Sequence, residues 1–132
     1  RETRAAEARA HDLLAMMSLS DVSDVRAGDL AYGQQKRLEI ARALAADPLL
    51  LLLDEPAAGL NPAETAELGQ IIVGIRDSGI GILLVEHDMR LVMGISDEII
   101  VLNFGCAIAR GIPDVVAKDE AVIDAYLGTE VD

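Results

Sequence analysis

Leu50-Leu51-Leu52-Leu53-Asp54-Glu55-Pro56 decides how the rest of the chain is read. Four apolar residues running into two adjacent carboxylates describe a buried strand that carries an acidic pair to the rim of a sheet, where a metal-bound phosphate can be met. Neighbouring strand residues point to opposite faces. Both acids can therefore serve one site only if the strand ends at Asp54 and the chain turns, and Pro56 supplies the break.

The 132 residues are enough for one core, and 52% hydrophobic with 26% charged content is that of a soluble globular domain. Tyr32, Phe104 and Tyr126 are the only aromatic residues, so the core must be aliphatic and recognition by base stacking is disfavoured. The net charge of -12 is unevenly placed: residues 1–45 carry seven basic and seven acidic side chains, residues 46–132 four and sixteen. Lys36, Arg37 and Arg42 form the densest basic group, too small for a phosphate-tracking surface, so nucleic acid is not an expected partner. Cys106 is alone, which excludes a disulfide framework and Cys-based metal spacing and suits a reducing cytoplasm. No apolar run approaches the roughly 20 residues that span a bilayer, so any membrane association is expected to be peripheral.

Helical spacing of Ala6, Ala10, Leu13, Leu14 and Met17 predicts an amphipathic helix over residues 2–17, followed by a polar stretch to Asp29. A second helix is expected from Gly33 to Ala46 with Leu38, Ala41, Leu44 and Ala45 inward, ended by Asp47-Pro48. The strand at Leu49 to Leu53 leads through small residues to Asn61-Pro62, a helix start in which Asn61 caps and Glu64 completes a capping box. That helix buries Leu68, Ile71, Ile72 and Ile75 and closes at Ser78-Gly79. Ile80 to Val85 has no polar face and is expected in the middle of a sheet. A short helix from Met89 to Ile95, strands over 98–102 and 106–110 joined at Asn103-Phe104-Gly105, and a final helix from Asp114 to Leu127 complete the pattern. The alternation implies an α/β fold with mostly parallel strands, preceded by a helical subdomain.

Leu30-Ala31-Tyr32-Gly33-Gln34-Gln35 and the helix after it resemble the signature motif of ATP-binding cassette (ABC) ATPases. In that family the signature sits at a helix N-terminus and closes over the terminal phosphate of an ATP held by the opposite subunit. The resemblance implies such contacts for Ala31, Tyr32, Gly33, Gln34 and Gln35, and the physics fits, since Gly33 lets backbone approach an anion and first-turn N–H groups favour negative charge. Lys36 and Arg37 add positive potential. Ala31 and Tyr32 stand where the family usually has Ser and Gly. Tyrosine is familiar there in branched-chain amino acid transporters, while Ala31 lacks a hydroxyl and leaves contact to backbone groups and Gln34.

Leu50 to Glu55 resembles a Walker B strand, which implies that Asp54 orients Mg²⁺ through a bound water and that Glu55 polarises the attacking water as general base. Ala57 to Asn61 occupies the place of the D-loop, implying roles for Gly59 and Asn61 at the ATP sites, although Asn61 replaces the usual aspartate and helix capping competes for it. His87 in Glu86-His87-Asp88 stands where the family has its switch histidine, a donor to the γ-phosphate; His11, with no such neighbours, reads as structural. The tail from Gly105 to Pro113, with Ala125-Tyr126-Leu127-Gly128, is similar to the branched-chain (hydrophobic) amino acid subgroup.

The chain has no Gly-x-x-x-x-Gly-Lys-Ser/Thr loop; its two lysines, Lys36 and Lys118, do not follow glycine. The resemblance places the P-loop strand beside Ile80 to Val85, which without it is expected to present an unpaired edge. The expectation is a partial P-loop NTPase domain, with residues 1–46 a helical subdomain, 47–110 catalytic core and 111–132 a helical tail, belonging to a longer polypeptide whose phosphate-gripping parts lie before Arg1. The resemblance further implies ATP and Mg²⁺ as cofactors, and a second ABC ATPase subunit, transmembrane permease subunits and indirectly a substrate-binding protein as partners, on the inner face of the cell membrane. An ABC-type head of a DNA-repair or chromosome protein would need basic DNA-binding surface or long coiled coil, which this sequence lacks. A catalytically silent dimerisation module of the same fold is the other alternative.

Overall fold

The computed structural model describes residues 1–128. Two compact units are formed, Arg1–Val85 and a second beginning at Glu86, and among the described residues each contains one two-stranded sheet.

In the first unit, α1 (Glu2–Met16) buries its expected stripe only at the C-terminal end, where Leu13 and Met17 join Leu19 in the core while Ala6 and Ala10 stay exposed. Short 3₁₀ turns at Ser20–Val22 and Ala27–Asp29 fill the polar stretch. α2 (Tyr32–Leu44) buries Ile40, Ala41 and Leu44. Ile40 replaces the expected Ala45, because the helix stops at Leu44 and leaves Ala45 exposed. Asp47 then takes a left-handed φ of 50° and donates its N–H to the Leu44 carbonyl at 3.0 Å. The Arg9 guanidinium pairs with Asp47 at 2.5 Å, tying α1 to this turn.

β1 (Leu50–Asp54) and β2 (Gly81–Val85) pair in parallel, Leu50 opposite Gly81 through to Asp54 opposite Val85. Between them runs α3 (Pro62–Asp77), giving a βαβ unit whose core holds Leu51 and Leu53 from β1 and Leu68, Ile71, Ile72 and Ile75 from α3. The predicted capping box is present: Asn61 Oδ1 accepts from the Glu64 N–H at 2.8 Å, and Glu64 Oε2 accepts from the Asn61 N–H at 3.1 Å. β1 reaches one residue further than expected, to Asp54. Among the described residues β2 pairs with β1 alone, the unpaired edge expected where no P-loop strand lies beside it rather than the mid-sheet strand its composition alone suggests. Its apolar composition is left without cover on one face, where Leu50, Leu52, Leu83 and Val85 are all more than half exposed.

In the second unit α4 (Met89–Ile95) is capped by Asp88, whose Oδ1 accepts from the Leu91 N–H at 3.1 Å. β3 (Ile99–Asn103) and β4 (Cys106–Gly111) form an antiparallel hairpin with an irregularity between Val101 and Leu102. Its turn places Phe104 and Gly105 at φ 49° and 75°, the two positive values a tight hairpin turn of this hand requires. Val92, Ile99, Val101, Val116 and Val122 form the core of this unit, with Met89, Met93, Ile108 and Ala109 against it. The single helix expected from Asp114 to Leu127 is instead α5 (Pro113–Val116), α6 (Glu120–Val122) and a π turn over Ile123–Leu127. Asp119 makes the break: its backbone is extended and its carboxylate accepts from the Ala121 N–H at 2.9 Å, which restarts the helix. Of the tail expected over 111–132, the last four residues lie outside the described residues.

A strand edge without a partner beside an apolar face is an association hazard. The 132-residue chain is expected to sediment as oligomers, and Leu83→Lys, on the exposed face, to shift the distribution toward monomer. Monodisperse monomer from the unsubstituted chain would refute this.

Candidate functional site

The acidic pair sits where β1 stops. Asp54 is the last strand residue and is exposed. Glu55, also exposed, leaves strand geometry with φ 47°, while its N–H still reaches the Val85 carbonyl of β2 at 2.8 Å. Pro56 and Ala57 are buried directly behind it, and the Ala58 N–H returns to the Glu55 carbonyl at 3.1 Å. The turn required to free the two carboxylates from strand alternation is therefore present, made by Glu55 itself with Pro56 anchoring the segment after it.

The loop after the pair leads to Gly59 at φ 79° and to Asn61 at the start of α3. Asn61 Oδ1 is engaged in the capping box, so capping is a role of this side chain that the structure displays. Beside the loop lies the N-terminus of α2. Tyr32 donates its phenol O–H to the Ala58 carbonyl at 3.1 Å. Gly33 faces Leu60 and Glu64, and Arg37, one turn on, pairs with Glu67 at 2.7 Å. The start of α2 and the start of α3 thus share one shallow groove, lined among others by Ala31, Gly33, Gln34, Lys36, Leu60 and Glu64.

The two glutamines of the motif serve the backbone. Gln34 Oε1 accepts from the Ala31 N–H at 3.1 Å, the half of a capping box that alanine can still have. Gln35 Nε2 donates to the carbonyls of Leu30 at 3.1 Å and Ala27 at 3.4 Å, closing the turn before the helix. Ala31, Tyr32, Gly33, Gln34, Gln35, Asp54, Glu55, Gly59 and Asn61 all belong to the first unit, while His87 belongs to the second, exposed between Glu86 and the capping Asp88. The sequence reading missed Glu67 and the second contact of Glu64. A signal existed in the spacing of Glu64 and Glu67, which puts both on one face of α3 toward the basic start of α2.

A Cβ built on Gly33 would lie 3.6 Å from Leu60 Cδ2 and 3.7 Å from the Glu64 carboxyl carbon, ordinary contact distances. Packing inside this chain leaves room for a methyl group there. Among the described residues no three His, Cys, Asp or Glu side chains converge as a metal cluster, and no helix is long and apolar enough to cross a membrane.

An acidic pair at a turned strand end, with a glycine-containing helix start alongside, is the arrangement against which known proteins can be compared. The profile of the ABC transporter family matches residues 1–58, and that described as branched-chain amino acid ATP-binding cassette transporter matches residues 108–132. The chain belongs to the ABC transporter ATP-binding family. It is similar to the high-affinity branched-chain amino acid transport ATP-binding protein BraF of Pseudomonas aeruginosa, with 49% identity over 128 residues, 96% of this chain and 50% of that protein. Its similarity to the corresponding LivG protein of Escherichia coli strain K12 is 50% identity over 121 residues, 91% of this chain and 48% of that protein. Among solved structures it resembles the ADP conformation of MJ1267, an ATP-binding cassette of an ABC transporter, with a TM-score of 0.84 and 31% identity over 95% of this chain and 51% of that one. The fold is accordingly part of a P-loop NTPase of the ABC type, α/β with a parallel sheet. The chain spans about half the length of the curated relatives it matches.

Removing the α3 cap while leaving the helix start intact isolates one role of Asn61. Asn61→Ala is expected to lower unfolding free energy by about 1 kcal/mol, read as a reduced denaturation midpoint. An unchanged midpoint would mean that the capping bonds contribute nothing net.

Proposed function

We infer that the chain is the C-terminal half of the ATP-binding subunit of an ABC importer for branched-chain amino acids, and that it binds and hydrolyses ATP only together with the missing half and a second subunit. The single observation that carries this reading is the turn at Glu55, which brings an exposed glutamate out of the strand directly after an exposed aspartate. The uncovered apolar face of β1 and β2 supports the fragment part of it, because parallel strands of this composition belong in sheets covered on both faces. The names of BraF and LivG, and the family matched by residues 108–132, support the substrate class.

In this reading Asp54 would hold Mg²⁺ through water. One carboxylate completed by waters and phosphate oxygens suits magnesium, which retains much of its hydration. Mg²⁺ and ATP, when bound, supply a charge-neutralised terminal phosphate open to attack by water. Glu55 would accept the proton of that water as general base as the bond from the terminal phosphorus to the ADP oxygen breaks and ADP leaves, and His87 would donate a hydrogen bond to the phosphate. The N-terminus of α2, with Ala31 to Gln35, faces the ATP of the opposite subunit through backbone N–H groups, while Gly59 and Asn61 carry contact between the two sites. Gly33 is glycine because an anion approaches there, not because its own chain crowds it. Residues 1–46 act as the helical subdomain, 47–110 as catalytic core and 111–132 as a helical tail. The partners are a second ABC ATPase subunit and transmembrane permease subunits fed by a substrate-binding protein, with the ATPase on the cytoplasmic face of the membrane.

Joining the chain to the N-terminal half of BraF tests this. The fusion is expected to bind and hydrolyse ATP while the chain alone does neither, and Glu55→Gln in the fusion to lower turnover about 10²- to 10⁴-fold with ATP binding retained. Retained hydrolysis would reassign the base, and a well-folded fusion that ignores nucleotide would favour a silent dimerisation module. Gly33→Ala is expected to keep the denaturation midpoint of the fusion or raise it slightly, alanine being the better helix former by up to about 1 kcal/mol, yet to reduce its ATP-dependent dimerisation. A lowered midpoint would place the need for glycine inside the chain.

A further inference from the structure

Tyr32 stands out among the residues at the start of α2 because its side chain leaves that helix and engages the loop that follows β1. Three contacts define what it does. Its phenol O–H donates to the Ala58 carbonyl at 3.1 Å. Its ring lies so close to Gly59 that a Cβ there would be 2.9 Å from Tyr32 Cε1 and 3.3 Å from its phenol oxygen. Lys36, one turn along α2, sits with Nζ 5.4 Å from the ring centroid on the helix side. The ring is thus in contact with a backbone that has no side chain and near a cation from its own helix, although the residue as a whole is half exposed.

We propose that Tyr32 is a positioning residue that latches the Ala57 to Asn61 loop to the first turn of α2 within the same chain, with Gly59 as its receptor. The two positions are chemically complementary. Gly59 needs glycine twice over, for its φ of 79° and for the space that the Tyr32 ring occupies. Tyr32 in turn finds a carbonyl acceptor only because the loop folds back on itself, with the Ala58 N–H bonded to the Glu55 carbonyl and the Leu60 N–H to the Ala57 carbonyl, both at 3.1 Å. Lys36 restrains the ring from the helix side by cation–π attraction. A displacement of the first turn of α2 is therefore transmitted to the loop that begins at Glu55. This deepens the ATPase reading and takes its functional meaning from it, but the latch is a property of the nucleotide-free chain and can be tested without hydrolysis.

The experiment is amide hydrogen exchange on the 132-residue chain, reading the amides of Ala58 and Leu60 against that of Ile72 in α3 as internal reference. Tyr32→Phe keeps the ring and loses the hydrogen bond, and is expected to speed exchange in the loop about three- to tenfold. Tyr32→Ser loses both and should exceed that, so the conservative phenylalanine gives partial rescue. Gly59→Ala alone should also open the loop, and combining it with Tyr32→Ser should give less than the product of the single effects by a factor of about five or more, because the clash is removed and only the backbone strain remains. Independent, multiplicative effects of the two substitutions would overturn the latch, as would loop exchange unchanged in both Tyr32 variants. Since Tyr32 is half exposed, Tyr32→Phe leaves the core intact. Failure of the fusion to hydrolyse ATP would count against the ATPase reading and leave these outcomes as they are.

Discussion

The hydrogen bond from the Glu55 N–H to the Val85 carbonyl, 2.8 Å long, is the interaction on which the placement of the first unit's candidate site residues depends. It continues the ladder of β1 and β2 one residue past the end of β1, at a position where the backbone has already left strand geometry. A non-glycine residue at φ 47° costs on the order of 1 kcal/mol or more. The segment is held there from both sides, by the β2 carbonyl and by the buried Pro56 and Ala57 that follow. Without that restraint the strand would run on, and the alternation of side chains would send the two carboxylates to opposite faces. A short apolar strand thereby becomes a platform whose last residue, Asp54, and the residue after it, Glu55, can act together.

What happens at that turn propagates into helix placement. The loop from Ala57 to Leu60 ends in the Asn61–Glu64 capping box, which fixes where α3 begins. Glu64 and Leu60 then lie against Gly33, Glu67 pairs with Arg37, and Tyr32 reaches Ala58, so the start of α2 is located by the start of α3. Arg37 is largely buried, with 15% of its side chain exposed, which makes this pair a stronger restraint than the fully exposed ion pairs that contribute little. Strand end, loop and two helix starts behave as one construction, with every link in the first unit.

The parts of this that were legible in the sequence are those written by local chemistry. Asn61, Pro62 and Glu64 state a helix start with side chains that bond their own backbone, and the structure has that start. Leu68, Ile71, Ile72 and Ile75 follow from the helical apolar periodicity of α3, whereas the unbroken run Leu50 to Leu53 does not reveal that only Leu51 and Leu53 are buried. Contacts between elements were less legible. That Tyr32 would meet Gly59 depends on how two segments 27 positions apart are brought together by β1 and α3, and neither local pattern encodes it. β2 shows the opposite failure. Its composition records the burial of an interior strand, while its hydrogen bonds in the described residues are those of an edge. The last helix was misread because apolar spacing persists through Asp119, whose carboxylate competes for a backbone N–H and restarts the chain there.

The electrostatics of the α2 start differ from what the run Lys36-Arg37 suggests. Arg37 is paired with Glu67, and Lys36 lies over the Tyr32 ring, so neither side chain is a freely placed counter-charge for an approaching anion. The Ala31 N–H is engaged by Gln34, and the intrahelical ladder begins only with the Gln35 N–H bonding to the Ala31 carbonyl at 2.9 Å. The amides of Tyr32, Gly33 and Gln34 are the first-turn donors that a helix cannot satisfy from within, and Ala31 has no side-chain oxygen to accept from them. In the proposed function, attraction for a phosphate at this point would therefore rest on backbone dipoles concentrated at one helix end, roughly half a positive charge. A backbone site of that kind is only as well placed as the helix that carries it. If the start of α2 meets a phosphate as proposed, the contacts of Tyr32, Gly33 and Arg37 with the loop and α3 serve that binding as well as the fold.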